Sequence, residues 1–316
     1  MEIGKLGERK LIERIRAAYS YAWPNSDSAY VDVGKNRLLI TNDSITQSTH
    51  IPSGANPMDV GYFFAAINLS DIAAMGGLPL YFMSSMILPP KLDSKYLIGL
   101  ERGIRKCLNR YNVKMIGGDL KKGRELVLTG IAIGEVDKSR MMQRLNMKDS
   151  EALCVTGELG RNAAGYYEWK RGSKTGAAML LDVDPKINEG RFLSDNGIKA
   201  AMDLSDGVYS AIHQLSSATG LGFEIFYDSI PVSQEASAVN MKQGIDIEQL
   251  CLNFGGDYQL MFSVKEAEFE RLRRKALARR IRITRIGRII GSKNVLIRDS
   301  KRINIRKYGY EHFITD

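Results

Sequence analysis

The sequence predicts an α+β protein of two mixed domains, an N-terminal sheet domain and a larger C-terminal α/β domain. Three observations carry this. The chain has 316 residues, 44% of them hydrophobic, enough for about two cores. Its first 135 residues read strand, strand, helix, strand, helix, strand, strand, an order that suits helices packed on a sheet. A polar, charged stretch, Glu135 to Glu151, then interrupts the apolar pattern and divides the chain into residues 1–136 and 137–316.

Taken in order, Leu6, Leu11, Ile12 and Ile15 recur at helical spacing within Lys5 to Tyr19, and the segment from Trp23 to Ser28 breaks the pattern with a turn that holds Asp27. Ala29 to Val33 and Arg37 to Thr41 read as strands joined around Gly34-Lys35-Asn36, the second ending at Thr41-Asn42-Asp43-Ser44. Val60, Phe63, Phe64, Ile67, Ile72 and Met75 mark a helix through Asn68-Leu69-Ser70-Asp71, followed by Gly76-Gly77. Tyr81 to Leu88 is a strand closed by Pro89-Pro90. Ser94 to Arg110 is a helix with Leu97, Leu100, Ile104 and Leu108 inward. Val113 to Ile116 is a short strand that delivers Gly117-Gly118-Asp119 at its end, and Leu126 to Gly134 completes the sheet.

In the second half, Ala152 to Thr156 reads as a strand, and Gly157 to Gly165 as a turn entering a helix. Phe192 to Met202 reads as a helix leading into Asp203-Leu204-Ser205-Asp206-Gly207, and Val208, Ile212 and Leu215 line the next. Gly222 to Tyr227 is strand-like, Ile245 to Leu252 helix-like, and Phe254-Gly255-Gly256-Asp257 precedes a strand from Tyr258 to Val264. Glu266 to Arg279 is a charged helix, and two strands bracket Gly291-Ser292-Lys293.

Composition narrows the function. No run of about 18 apolar residues exists for a membrane span, and the polar Met1 to Arg9 lacks the apolar stretch of a signal peptide, so a cytoplasmic protein with no membrane partner is expected. Cys107, Cys154 and Cys251 lie far apart with no CxxC pair, which predicts reduced core thiols rather than disulfides or zinc. The net charge of +9 is dispersed, and its densest run, Arg271 to Arg282, reads as one solvated helix face. That pattern suits attraction of anionic small substrates better than a nucleic-acid surface.

The carboxylates are the informative residues. Asp71 sits in an apolar helix with no Lys or Arg between Ile51 and Pro90 to neutralise it. Asp27, Asp43, Asp119, Asp203 and Asp206 likewise fall in turns, at strand ends or beside small residues. Each alone is equally well read as a turn cap. Together, hard oxygen donors without His or Cys select Mg²⁺ in company with substrate phosphates, and such a cluster is sufficient machinery for phosphoryl transfer. The chain has no G-x-x-x-x-G-K-[ST] loop, no kinase H-R-D and D-F-G pair and no G-x-S-x-G elbow. Of the three histidines, His213 reads as a helix-surface or core residue, His312 lies near the C-terminus, and His50 reads as a loop residue beyond Asp43.

Three motifs, NLSDIAAMG from Asn68 to Gly76, Ile116-Gly117-Gly118-Asp119 and Asp203-Leu204-Ser205-Asp206-Gly207, resemble those of the thiamine-monophosphate kinase family. Its superfamily includes aminoimidazole ribonucleotide synthetase, the hydrogenase maturation protein HypE and selenophosphate synthetase. The resemblance spans the chain. It implies a homodimer joined through the N-terminal sheets, and a cleft lined by both domains where ATP and thiamine monophosphate give thiamine diphosphate and ADP with several Mg²⁺ ions. It further implies Asp27, Asp43, Asp71, Asp119, Asp203 and Asp206 as metal ligands with Thr41 auxiliary. Gly118, Asp119, Arg144 and Ser205 would contact ATP, and His50 thiamine monophosphate.

The chain also departs from that pattern. Ser26 replaces the first Asp of a G-D-D turn, Asn42 a hydroxyl residue, and Leu120-Lys121-Lys122 a Thr-Thr-Arg run. Gly256 stands where the family has a substrate-contacting Glu, and Lys307 where an aromatic residue would cover thiamine. A different acceptor, or a nucleotide-binding protein without catalysis, is therefore the alternative. Among relatives, the end Phe313-Ile314-Thr315-Asp316 lacks the terminal Cys that HypE uses, and no early reactive Cys or glycine-rich arm points to selenophosphate synthetase.

Overall fold

The computed structural model describes residues 7–19, 25–306 and 309. Helix α1 (Glu8–Ala17) precedes strands β1 (Ala29–Val33) and β2 (Asn36–Thr46), a short helix α2 (Gln47–His50), α3 (Pro57–Ala74), β3 (Leu78–Leu88), α4 (Ser94–Arg110), β4 (Lys114–Lys122) and β5 (Val127–Asp137). The five strands form one sheet in the order β1-β2-β5-β3-β4, parallel only between β3 and β4. Strand β5 shows why one face is covered: Leu128, Ala132 and Val136 are buried under the helices, while the alternate Thr129, Ile131 and Ile133 on the opposite face are half-exposed. Strand β4 is the open edge, and Met115, Ile116 and Leu120 on it are exposed.

Helix α3 is the buried axis of this half. Asn56 caps it by accepting from the Met58 N–H, and Pro57 opens its first turn. Thirteen of its residues are buried all round, so it behaves as a core helix rather than an amphipathic one. It touches α4 with almost no spacing. A Cβ on Gly61 would stand 2.0 Å from the Leu100 carbonyl oxygen, and one on Gly103 would stand 1.9 Å from that of Met58.

The second half contains β6 (Glu151–Thr156), α5 (Arg161–Lys170), α6 (Lys174–Leu181), α7 (Ile187–Asp195), β7 (Ala201–Asp203), α8 (Val208–Thr219), β8 (Phe223–Phe226) and α9 (Gln234–Gln243). It closes with β9 (Leu260–Lys265), α10 (Glu266–Ala278), β10 (Ile283–Ile289), β11 (Val295–Arg298) and β12 (Lys301–Asn304). Its seven-stranded sheet runs β12-β11-β8-β10-β6-β9-β7. Both faces are covered: Leu153 and Val155 of β6 join one apolar cluster, and Ala152 and Cys154 the other. Leu181, Val183 and Ile187 pack into the first half's core. Gly190 of α7 lies so close to α3 that a Cβ would meet the Ala73 carbonyl at 2.2 Å. The halves thus share apolar contacts along α3. The three cysteines are buried and free, and among the described residues no helix is long and apolar enough to cross a membrane.

Several expectations need correction. Asp43 and Gly117-Gly118-Asp119 lie inside strands, not at their ends, because β2 stays paired to β5 as far as Thr46–Val127 and β4 to β3 as far as Lys122–Leu88. The helix expected over Phe192 to Met202 stops at Asp195, where Gly197 takes φ +84°, and Ala201 to Asp203 pairs instead with β9. The helix expected over Ile245 to Leu252 is present from Ile247 and runs to Asn253, its last five residues, Gln249–Asn253, in π form. Helices α6 and α9, capped by Ser173 and Ser233, were not signalled by an apolar period. Trp23, Pro24, Lys307 and His312 lie outside the described residues.

The α3–α4 contact predicts that Gly103→Ala lowers the thermal midpoint. Its helix-propensity gain of about 1 kcal/mol is outweighed by a forced separation costing about 1–3 kcal/mol, because the Cβ would meet backbone rather than a flexible side-chain end. Scanning calorimetry of the variant checks this, and an unchanged or higher midpoint would show that the helices can separate freely.

Candidate functional site

Three carboxylates meet where α3 ends. Asp27 comes from the turn before β1, Asp71 from the last turns of α3 and Asp203 from the end of β7, and one oxygen of each lies within 4.8 Å of the others. Each is held by a group distant in sequence. Arg144, in the 3₁₀ turn joining the two sheets, donates to Asp27 through Nη2 at 2.5 Å and Nε at 3.3 Å. Ser70 donates its hydroxyl to Asp203 at 2.7 Å, tying α3 to the second half. The Thr41 hydroxyl, from β2, donates in a short bond to Asp71. Fixing these side chains in advance is what a cation or polyphosphate site requires, since ordering them at binding would cost affinity.

The charge does not balance. Among the described residues, the one cation that an ion pair brings to the three carboxylates is Arg144. Burial, and next the Asp27 carboxylate, push Asp203 up to about 7. Asp71 is driven well above the usual carboxylate range by burial first, then by Asp43, Asp203 and Asp27. Asp43, whose backbone N–H donates to the Asn68 carboxamide at 2.9 Å, is pushed up to about 6 by burial and then by the Asp206 and Glu8 carboxylates. Such surplus negative charge in a half-buried place marks a functional site.

Around this centre, residues 203–207 and 253–258 lie against each other: the Ser205 carbonyl accepts from the Gly256 N–H at 2.6 Å, and the Leu204 carbonyl from the Tyr258 N–H at 3.1 Å. Ser205 is half-buried there. Gly256 takes φ +88°, and a Cβ on it would stand 2.4 Å from the Asn162 carboxamide oxygen. A Glu at this position would therefore need both a strained backbone and a displaced Asn162. Asp257 beside it caps α5, accepting from the Gly160 N–H at 2.6 Å and the Asn162 N–H at 3.0 Å.

The other sequence candidates stand apart. Asp119 on the open strand β4 is exposed, 2.9 Å from Lys121, which holds its carboxyl below the usual range. Gly118 lies so close to β3 that a Cβ would meet the Ser84 carbonyl at 2.7 Å, so its lack of a side chain already serves the strand pairing. His50 ends α2, where its Nδ1 accepts from the Thr46 N–H at 3.2 Å and so closes its own turn. Sequence reading missed Asn68, Ser70 and Tyr258 as site residues. The signal for the first two was present, since Asn68 and Ser70 are buried polar residues in an apolar helix and need partners. Tyr258, with φ +48°, gave no such signal. Its ring packs edge-on to Phe63, and burial with Asp43, Asp203, Asp206 and Asp71 nearby pushes its phenol well above the ordinary range.

Family models match both halves: the AIR synthase related protein N-terminal domain over residues 25–136, and the C-terminal domain over 148–299. The chain is 30% identical over 311 residues to a thiamine-monophosphate kinase of Pyrococcus horikoshii, covering 98% of this chain and 96% of that one. It is 33% identical over 301 residues to a thiamine-monophosphate kinase of Buchnera aphidicola subsp. Schizaphis graminum, covering 91% of each. A solved structure of AaThiL complexed with AMPPCP and TMP superposes with a TM-score of 0.88 at 25% identity over 99% of both chains.

The pKa pattern fixes a pH dependence for the metal-free protein. Asp43, Asp203 and Asp257 all hold protons in the folded state that the unfolded chain releases near pH 4. Their contribution is therefore full below about pH 4 and is lost as pH rises through about 6 to 7, where the folded groups ionise. In chelator, these groups lower the thermal midpoint across that window, and Asp71→Asn flattens the decline by removing one of the crowded charges. A decline as steep in Asp71→Asn as in the parent protein would show that the carboxylates do not act on one another.

Proposed function

The chain belongs to the thiamine-monophosphate kinases of the AIR synthase related family, and on that premise we propose that it transfers the terminal phosphoryl group of ATP directly to the phosphate of thiamine monophosphate, giving thiamine diphosphate and ADP. The observation that carries the site assignment is the convergence of Asp27, Asp71 and Asp203 from both halves with one guanidinium among them. The donor set suits Mg²⁺: carboxylate and hydroxyl oxygens, with no imidazole or thiolate. When bound, magnesium supplies charge neutralisation for the polyphosphate. Asp27, Asp71 and Asp203 would hold it with Asp43, and Asp206 would serve from the 203–207 turn. Thr41, Ser70 and Arg144 fix the orientation of these carboxylates, which lets a loose transition state be met by groups already in place.

The attacking oxygen belongs to a phosphate that is anionic at neutral pH, so no general base is needed. As the family pattern implies, Arg144, which is bonded to Asp27, and Ser205 would contact the nucleotide, and His50 the acceptor. The family pattern also implies Asp119 and Gly118, on the open strand β4, as nucleotide contacts, although neither belongs to the three-carboxylate cluster.

The same strand supports a homodimer. Met115, Ile116 and Leu120 are exposed on β4, and the outer face of β5 carries half-exposed Ile131 and Ile133, an apolar surface that pairing with a second copy would cover. Three buried, free thiols suit the reducing cytoplasm.

Mixing protein, ATP, Mg²⁺ and thiamine monophosphate should give thiamine diphosphate, and ATP consumption without that product would overturn the acceptor. Asp71→Asn and Asp203→Asn should each lower kcat by about 10²–10³, read from the same product. Ile116→Lys should shift the protein from dimer to monomer in sedimentation, and a parent protein that sediments as a monomer would refute the dimer.

A further inference from the structure

A cavity of about 430 Å³ opens between the halves and is lined by none of the candidate metal ligands. One wall is Met58, Asp59 and Tyr62 from the start of α3 with Lys106 and Arg110 from α4. The other is Arg161 from α5 with Ala178, Met179 and Leu181 from α6. Tyr62 lies nine residues before Asp71 on one helix, which separates their backbones by about 13 Å, so the cavity is at the far end of α3 from the carboxylate cluster.

Its charges are not all matched. Arg161 is neutralised twice over, by Asp182 at 2.8 Å and Glu235 at 3.1 Å. Arg110 donates to the Tyr62 hydroxyl at 2.9 Å but must share Asp184, which lies 3.5 Å away, with Lys186 at 3.0 Å. Asp59 sits in the first turn of α3, where the helix N-terminus already favours an anion. Lys106 has no carboxylate partner among the described residues, and its ammonium lies 5.8 Å from the centre of the Tyr62 ring. An apolar, polarisable wall of Met58, Tyr62, Met179 and Leu181 thus faces one under-compensated pair of cations, Lys106 and Arg110. Cavities of this size that combine a mainly apolar wall with a few convergent polar groups are the usual form of a small-molecule site.

We propose that this cavity binds a small planar aromatic or heterocyclic molecule carrying a phosphate group, its ring between Met58, Tyr62 and Met179 and its phosphate on Lys106 and Arg110. The phosphate would gain charge-assisted bonds from Lys106, which pairs with no carboxylate among the described residues, and from Arg110, whose Asp184 partner is shared with Lys186. The ring would cover thioether and aromatic surface from both halves.

Phenyl phosphate is the probe, titrated calorimetrically into the full chain, and the two substitutions below, which lie outside the candidate active site, tell binding in this cavity from binding at the acceptor site. The expected result is saturable binding, weakened at least about tenfold by Lys106→Glu, which reverses the charge, and by Ala178→Phe, which fills the space. Phenol and inorganic phosphate should each bind more weakly than phenyl phosphate. Thiamine-monophosphate kinase turnover and the thermal midpoint of both variants should match the parent protein, which separates loss of the site from loss of the fold. Absence of binding heat, or binding unaffected by both substitutions, would each overturn the proposal.

Discussion

The rest of the structure depends on keeping several carboxylates together that repel one another. Asp27, Asp71 and Asp203 crowd within 4.8 Å in a half-buried place, with Arg144 the only guanidinium paired to them among the described residues. An isolated ionised carboxylate is expensive to bury, and each like charge beside it adds to the cost. The fold meets that cost with the apolar burial of α3, which is sealed on all sides by the sheet, by α4 and by α7 of the second half. Stability is spent at the site and recovered along the helix that carries it.

That arrangement explains why the halves do not behave as two independent cores. Leu181, Val183 and Ile187 of the second half are packed with the first half's core, and Ala74 of the first half with one of the second's. The Ser70–Asp203 bond then crosses the same boundary between polar groups. A site made of residues from both halves stays assembled only if their relative placement is fixed, and the apolar contact along α3 does the fixing. The hydroxyl and guanidinium partners set the rotamers within it.

The departures from the family pattern take on a physical form in this setting. Gly256 is a left-handed residue pressed against Asn162, so a Glu there would need a strained backbone and a displaced Asn162. Lys121, in place of a smaller residue, takes the Asp119 carboxylate on the open edge strand.

The sequence by itself determined the helices and strands of the first half apart from the one-turn helix α2, because apolar period and glycines are local: Ser94–Arg110 is the helix its apolar spacing describes. It also picked out Asp71 as needing a partner, since a charge in an apolar helix is visible from composition alone. It could not identify that surrounding. Arg144 is 117 residues from Asp27, and Ser70 is 133 from Asp203. Nor could it foresee that Ala201–Asp203 would be a strand, because a three-residue strand is defined by the neighbour it pairs with, here β9, and not by its own propensity. Which carboxylates share one pocket and which, like Asp119, stand on an open edge was decided only by tertiary packing, since burial and charge crowding are properties of distances that a chain order does not contain.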